Sequence, residues 1–123
     1  MNDCIFCKII KGEIPAKKIY EDENTLAFLD INPIGNGHTL IIPKKHILDF
    51  DTISDEEINY VMCSARKVAK LLVLKLSASG YTLIENNGIS QDVKHFHLHI
   101  IPKYNNNKKI SVDDVYKKIT ADE

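Results

Sequence analysis

Residues 95–101 read His-Phe-His-Leu-His-Ile-Ile, and this stretch contains three of the five histidines in the chain. In a β-strand, successive side chains point to opposite faces, so the three histidines would share one face about 7 Å apart. Phe96, Leu98 and Ile100 would share the other face. We expect the apolar face to pack on a core and the imidazole face to build a site.

The spacing alone leaves three interpretations of the histidine face open. The rings could be structural, they could hold a metal ion on their own, or they could serve as nucleophile or acid and base. If the three imidazoles were buried for a structural reason only, each ring would need its own polar partners. The preceding residues 86–91, Asn-Asn-Gly-Ile-Ser-Gln, could present N–H donors to an anion, although many such loops are plain connections. Together these features favour phosphoryl or nucleotidyl transfer.

One long helix is predicted over residues 54–79. Ser54 and Glu57 form a capping box, and apolar residues recur at helical spacing from Ile58 to Leu76. Gly80 stands where a residue with positive φ often ends a helix. We expect this helix to cover the apolar face of the histidine strand and Cys63 to lie in its core stripe.

The remaining elements are short. Alternating or apolar runs predict strands at residues 18–21, 25–29, 38–42, 81–85 and 95–101, and short helices near residues 5–11 and 111–119. Strands interrupted by a single long helix indicate an α+β fold, in which that helix covers a mostly antiparallel sheet. The length of 123 residues predicts a single domain, residues 1–123.

Composition excludes several classes of function. The formal net charge is −1, which gives no electrostatic basis for nucleic acid or membrane as the main partner. No signal-peptide or membrane-spanning pattern is present, and three cysteines fit a reducing compartment better than a disulfide framework. A cytoplasmic protein is expected.

Several separated motifs resemble one known family in the right order. They are residues 95–101, Cys4-Ile5-Phe6-Cys7-Lys8-Ile9-Ile10, Phe28-Leu29-Asp30-Ile31-Asn32-Pro33 and residues 37–46. The chain resembles the histidine triad (HIT) superfamily, closest to its short Hint-type or bacterial branch rather than the Fhit-type hydrolases. The resemblance implies an antiparallel sheet of about five strands with one long helix, assembled as a homodimer.

The resemblance also assigns roles to individual residues. It implies that His97 attacks the α-phosphorus of a purine nucleotide and forms a nucleotidyl-imidazole intermediate, which water hydrolyses. His99 and His38 would flank the phosphate and help protonate or orient the leaving group. The remaining expected substrate contacts are Asp30 on the ribose, Asn86 near the ribose or phosphate, and Gln91 in the phosphate-binding loop.

Two features depart from the family pattern. Hint-type members carry Ser after the loop glutamine, whereas this chain has Asp92, which would bring negative charge near an anionic substrate. An inward Asp92 could weaken binding or alter the preferred leaving group. In addition, the Hint-type C-terminal tail is not recognisable after Tyr104.

The pair Cys4 and Cys7 could be structural, redox-active or part of a zinc site, and His46 and His95 could complete four ligands. The resemblance implies structural zinc on these four residues, with His95 serving the metal while His97 serves the chemistry. A free cysteine pair or a redox pair are the alternatives.

The function that follows is release of a nucleoside 5′-monophosphate from a phosphoramidate or a related leaving group. Hydrolysis of diadenosine polyphosphates is an alternative with the same chemistry. A nucleotide-binding interaction module with little turnover is the alternative of a different class.

Overall fold

Five strands form a single antiparallel sheet in the order β1-β2-β3-β5-β4 in a computed structural model that describes residues 3–121. The strands are β1 (Lys18–Glu21), β2 (Thr25–Leu29), β3 (Thr39–Pro43), β4 (Gly80–Glu85) and β5 (Leu98–Lys103). The helices are α1 (Ile5–Ile10), α2 (Asp55–Leu76) and α3 (Val112–Thr120). The predicted α+β fold with five strands, one long helix and short terminal helices is confirmed.

Helices pack on both faces of the sheet, while the edge strand β4 is largely exposed. Phe96, Leu98 and Ile100 pack with Val61, Ala65, Val68 and Leu72 of α2, as the alternation in the histidine stretch predicts. On the opposite face, Phe6 and Ile9 of α1 pack against alternate residues of β2 and β3, namely Leu26, Phe28, Leu40 and Ile42. Strand β2 is therefore buried along its whole length, which explains its continuous apolar sequence.

The histidine strand begins later than the sequence predicts. Strand β5 starts at Leu98, where both of its ladders end, opposite Ile41 of β3 and Glu85 of β4. Before that point the chain bends, and the Phe96 N–H donates to the Ile47 carbonyl at 2.7 Å. His95 and His97 therefore lie at the entrance of the strand rather than inside it.

The end of α2 also differs from the prediction. Ser77, with φ of 56°, adopts the left-handed conformation that was expected at Gly80. Gly80 instead opens β4 opposite Lys103, and the Ser79 N–H donates to the Lys103 carbonyl at 2.8 Å. The helix ends early because these residues are needed to start the edge strand. At the other end, Ser54 caps the helix through the Glu57 N–H, as predicted.

Candidate active site and metal centre

Four of the predicted site residues meet in one cluster. The sulfur atoms of Cys4 and Cys7 and one nitrogen each of His46 and His95 all lie within 4.8 Å of one another. Cys4 is the N-cap of α1, and its sulfur accepts the Cys7 N–H at 3.4 Å, so the Cys-x-x-Cys spacing turns both thiols the same way. His46 follows β3 and His95 precedes β5. The cluster thus joins the N-terminal segment to the middle of the sheet.

The orientation of His95 is fixed by a backbone carbonyl. Its Nε2 lies 2.9 Å from the Pro43 carbonyl oxygen, and because a carbonyl can only accept, Nε2 carries the proton. Its Nδ1 therefore presents a lone pair to the cluster. Burial lowers the pKa of His95 to about 4, opposed by the bond to Pro43, so the ring is neutral at physiological pH. Such outer hydrogen bonds commonly orient metal-bound histidines.

The spacing of the four donor atoms fits a tetrahedral zinc ion. Typical zinc bond lengths place two nitrogen ligands about 3.3 Å apart and a sulfur and a nitrogen about 3.6 Å apart. His95 Nδ1 lies 3.2 Å from His46 Nδ1, 3.4 Å from Cys4 Sγ and 3.6 Å from Cys7 Sγ. Four protein ligands leave no open position, which is typical of structural rather than catalytic zinc. These residues could therefore hold a structural zinc ion.

His97 presents the opposite nitrogen. Its Nδ1 lies 2.8 Å from the His95 carbonyl oxygen and must donate to it, which leaves Nε2 as the unprotonated nitrogen of the neutral ring. Phe6 packs edge-on against the ring with centroids 5.1 Å apart, and the side chain is buried. Nε2 faces a cleft that includes His99, Asp92, Phe28 and Asp30 in its lining. A buried, oriented imidazole with its lone pair toward a cleft can act as a nucleophile.

His38 and His99 form a directed pair beside His97. The Ile34 N–H donates to His38 Nδ1 at 3.0 Å, so the proton of the neutral ring is on Nε2. That Nε2 lies 2.9 Å from His99 Nδ1 and donates to it, which leaves the His99 proton on Nε2. Burial lowers the pKa of both histidines, and the Asp30 carboxylate, 3.6 Å from His38 Nε2, opposes this effect. Both rings are therefore neutral near pH 7.

Asp30, His38 and His99 also lie close enough together to suggest a second metal site. A metal ion between the two rings would have to displace the proton of His38 Nε2. The Ile34 N–H occupies the other nitrogen of that ring, so a neutral His38 has no place for the displaced proton. This cluster is a hydrogen-bonded relay rather than a metal site.

The chain turns sharply to bring His38 into this relay. Gly37 has φ of 87°, and an added Cβ would lie 2.5 Å from the Leu76 side chain and 3.1 Å from that of Pro102. Both the positive φ and the lack of space require glycine there. Asp30 serves the same turn, because its carboxylate accepts the Asn32 N–H at 2.9 Å and its own N–H donates to the His38 carbonyl.

The loop before β5 places the other predicted substrate residues less directly. Asn86 is half-buried at the end of β4. Gln91 is buried, and its amide Nε2 donates to the Leu48 carbonyl at 2.7 Å while its backbone N–H donates to Gly88. Its role in phosphate binding stays a prediction: the backbone N–H and one of the two amide N–H bonds already have partners. Asp92 does point inward, with Oδ1 3.4 Å from His97 Nε2.

Sequence reasoning missed the residues that hold this loop. Lys94 Nζ donates to the carbonyls of Gly88 and Gln91 at 3.1 and 2.9 Å. Asn87 joins the loop to the turn before α2, accepting the Phe50 N–H and donating to Asp51. A lysine beside a histidine motif gives no signal of this kind. Cys63, expected in the core, is exposed.

Within residues 3–121, no helix combines the length and the apolar content that crossing a bilayer requires.

Comparisons with known proteins agree with this fold. A model of the HIT domain matches residues 11–106. The chain is 47% identical to an uncharacterised HIT-like protein of Methanocaldococcus jannaschii over 127 residues, covering 94% of this chain and 98% of that protein. It is 44% identical to the adenosine 5′-monophosphoramidase HNT1 of Candida albicans, covering 81% and 70% of the two chains.

A solved structure shares the architecture. The zinc-bound histidine triad family protein of Mycobacterium smegmatis superimposes with a TM-score of 0.88 at 34% identity, covering 96% of this chain and 91% of that one. The family model spans most of the chain, and the relatives exceed 40% identity over most of its length. The chain therefore belongs to the HIT domain family.

Proposed function

We propose that this protein hydrolyses conjugates of purine nucleoside 5′-monophosphates at the α-phosphorus, with His97 as the nucleophile. The observation that carries the proposal is the hydrogen bond from His97 Nδ1 to the His95 carbonyl, 2.8 Å long. It leaves the Nε2 lone pair of the neutral ring directed toward the cleft, where Asp92 Oδ1 lies 3.4 Å away. Relatives named adenosine 5′-monophosphoramidases, at 44% identity in both Candida albicans and Schizosaccharomyces pombe, support an amine as leaving group.

In the first step, His97 Nε2 forms a bond to the α-phosphorus and the bond from phosphorus to the leaving nitrogen breaks. The leaving nitrogen keeps the electron pair and takes up one proton from solvent at the exposed mouth of the cleft. His99 Nε2–H donates a hydrogen bond to the leaving group or to a phosphoryl oxygen, where negative charge develops. His38 keeps His99 in this tautomer through its own Nε2–H, 2.9 Å from His99 Nδ1.

In the second step, water attacks the phosphorus of the nucleotidyl-imidazole. An oxygen–phosphorus bond forms, the bond to Nε2 breaks, and the ring recovers its lone pair. The water releases one proton to solvent, which balances the proton taken up earlier. The products are the nucleoside 5′-monophosphate and the free amine. A covalent intermediate divides one difficult displacement into two easier ones.

The cleft offers suitable surroundings for the nucleoside. Phe28, Ile5 and Ile31 contribute apolar walls on which a purine can pack, and Asp30 lies at their edge. Its carboxylate can accept hydrogen bonds from both ribose hydroxyls, while Asn86 and the loop around Gln91 lie toward the phosphate side. The base preference and these contacts are part of the proposal.

A structural role is proposed for zinc held by Cys4, Cys7, His46 and His95. When bound, the ion would cross-link the N-terminal segment to the entrance of β5 and help fold it. The His95 carbonyl that orients His97 belongs to one of the proposed ligands. The zinc site would therefore fix the nucleophile through the backbone, without entering the reaction.

Trapping the intermediate tests the proposal. We would mix the protein with radiolabelled adenosine 5′-phosphoramidate, quench in alkaline detergent within milliseconds to seconds, and map the label by mass spectrometry. The expected result is one adenylyl group on His97. His97→Ala should lose both the label and AMP release, whereas His99→Ala should slow both rates yet still allow labelling of His97.

The same assay separates the alternatives. Faster AMP release from diadenosine tetraphosphate than from the phosphoramidate would favour a polyphosphate hydrolase. Nucleotide binding by calorimetry with no His97-dependent product from either substrate would favour an interaction module and contradict the proposed reaction.

We further propose that two copies pair along β4. This strand lies at the edge of the sheet and exposes Tyr81, Leu83 and Ile84, and uncovered apolar edges promote association. Sedimentation equilibrium should give a dimer for the native chain and a monomer for Leu83→Lys. A native monomer at micromolar concentration would contradict this assembly.

A further inference from the structure

Asp92 places an exposed negative charge beside the proposed nucleophile. Its Oδ1 lies 3.4 Å from His97 Nε2, and its side chain is 80% exposed. It contributes to the same cleft as His97 and His99. A carboxylate is an unusual neighbour for an anionic substrate, because it opposes binding of every phosphate group.

No cation neutralises this carboxylate among residues 3–121. Its hydrogen bond is to the N–H of the next residue, Val93, at 2.9 Å. The nearest lysine along the chain, Lys94, is engaged with the carbonyls of Gly88 and Gln91. The salt bridges within those residues give Asp92 no lysine or arginine partner. Among these residues, Asp92 therefore faces the cleft with His97 as its nearest ionisable partner, at 3.4 Å.

The distance from Asp92 to the leaving group has an upper bound. In a reactive complex, phosphorus lies about 3.5 Å from Nε2, and the leaving atom lies about 1.7 Å beyond phosphorus. Added to the 3.4 Å between Nε2 and Asp92, these lengths keep the leaving atom within about 9 Å of the carboxylate. That separation is close to one Debye length at physiological ionic strength, so the interaction is only partly screened.

We propose that Asp92 selects the substrate by the charge of its leaving group, favouring neutral or cationic amines over anionic groups. This inference rests on the proposed function. The α-phosphate is common to all substrates, so its repulsion by Asp92 cancels when substrates are compared. Only the charge of the leaving group differs. The charge of a small leaving group lies about 8–14 Å from Asp92. At an effective dielectric constant between about 20 and 80, each unit charge there changes the rate about two- to thirtyfold before screening.

A matched series of substrates tests this selection. Three adenosine 5′-phosphoramidates carry amines of similar size with different charge: butylamine is neutral, diaminopropane adds an ammonium group, and β-alanine adds a carboxylate. All three break the same nitrogen–phosphorus bond. We would measure kcat/KM for each with wild type, Asp92→Asn and Glu23→Gln. Glu23 is exposed in the β1–β2 turn, at the opposite end of β2 from Asp30, and its substitution changes the net charge equally.

The wild type should prefer the cationic over the anionic substrate by at least about threefold at low salt. Asp92→Asn should narrow that ratio to within about twofold, by raising turnover of the anionic substrate and lowering that of the cationic one. Glu23→Gln should retain the wild-type ratio. Added salt should reduce the ratio in wild type and have little effect in Asp92→Asn, because screening acts on the carboxylate.

The outcomes separate the inference from the proposed function. If Asp92→Asn changes all three values by one common factor, Asp92 only positions His97 and charge selection is overturned. Charge selection by Asp92 is also overturned if Asp92→Asn keeps the wild-type preference for the cationic over the anionic substrate. Absence of turnover on all three substrates, or turnover that His97→Ala retains, overturns the proposed function and the selection with it.

Discussion

In both the cysteine–histidine cluster and the cleft, a backbone carbonyl accepts a hydrogen bond from one imidazole nitrogen, but the nitrogen that donates differs. In the cluster, His95 Nε2–H donates to the Pro43 carbonyl, which leaves the Nδ1 lone pair toward the other three side chains. In the cleft, His97 Nδ1–H donates to the His95 carbonyl, which leaves the Nε2 lone pair toward the proposed substrate. Two histidines of one motif, two residues apart, thus present different nitrogens because different backbone oxygens fix their tautomers. The spacing of two residues places both rings near the start of β5, and the backbone acceptors determine which nitrogen of each ring carries the lone pair.

The surroundings of the two regions differ as well. The cluster offers four side chains that could ligate a metal and joins three chain segments, which suits stability. The cleft has an open side lined by Asp92 and by the apolar walls of Phe28 and Ile31, which suits turnover. Substitutions in the two regions should therefore separate stability from catalysis.

The largest expected effect is on turnover, from His97→Asn. Asparagine is close in size to imidazole but cannot act as the nucleophile, so kcat/KM should fall at least about a thousandfold. Bound zinc and the midpoint of thermal unfolding should change little, because the four cluster residues are intact. Loss of zinc in this variant would contradict the separation of the two regions. Metal analysis, calorimetry and AMP release provide the three measurements.

Cys7→Ser should have the complementary effect. Loss of one thiolate ligand should release zinc and lower the free energy of unfolding by about 3 kcal/mol or more at saturating metal. Cys63→Ser is the matched control, since that thiol is exposed on α2. We would compare metal content and urea unfolding of both variants, and treat the native protein with a chelator. Equal stability of the two variants would show that the cluster does not support the fold.

His38→Leu should weaken the relay without removing the nucleophile. Without the His38 Nε2–H, His99 is no longer held in the tautomer that donates toward the cleft. We expect kcat to fall about ten- to a hundredfold, with zinc content unchanged. Tyr104→Phe is a control in the same region, because it removes a hydrogen bond to the Asn36 carbonyl and leaves both histidines intact. A wild-type kcat in His38→Leu would exclude the relay.

The smallest expected effect comes from a carboxylate outside both regions. Asp22 accepts hydrogen bonds from Tyr20, Asn24, Thr25 and Ser64, joining the β1–β2 turn to α2. Burial raises its pKa, but the hydrogen bonds from the Asn24 backbone, Tyr20 and Thr25 outweigh this and lower it from 3.8 to about 2. Asp22→Asn should reduce the free energy of unfolding by about 1–3 kcal/mol at pH 7.

The pH dependence of this effect has a definite sign. A depressed folded-state pKa stabilises the protein above the unfolded value of 3.8, and that contribution is lost as pH falls through about 2. The difference in stability between wild type and Asp22→Asn should therefore shrink between pH 4 and pH 2, as followed by urea unfolding. Glu23→Gln should show no such change. A difference independent of pH would rule out the charged hydrogen-bond network as its cause.

Much of the fold could be predicted because alternation and helical spacing report burial directly. The apolar set Phe96, Leu98 and Ile100 was predicted correctly for the core. The prediction that Cys63 lies in the core was wrong. The buried stripe of α2 runs through Val61 and Ala65, and Cys63 lies about 200° around the helix from Val61, because it is two residues further on. The ends of β5 and α2 depend on where partner strands stop, which local sequence does not encode.

For the candidate site, the identity of the residues could be predicted but their protonation could not. The cysteines and histidines could be named from motif spacing and family resemblance, and the structure brings the four proposed ligands together. The proton positions could not be predicted, because they depend on the backbone groups of Ile34, Pro43 and His95, and a backbone group carries no residue signature. The homodimer, the cytoplasmic location and the single-domain boundary stay predictions.

The most direct test of the account is to read the four tautomers by nitrogen-15 NMR of the zinc-loaded protein with labelled histidines, near neutral pH. We predict protonation at Nδ1 for His97 and at Nε2 for His95, His38 and His99, with the His95 Nδ1 signal shifted by metal. A neutral His97 protonated at Nε2, with its Nδ1 unprotonated, would contradict the central claim that the His95 carbonyl frees Nε2 for attack.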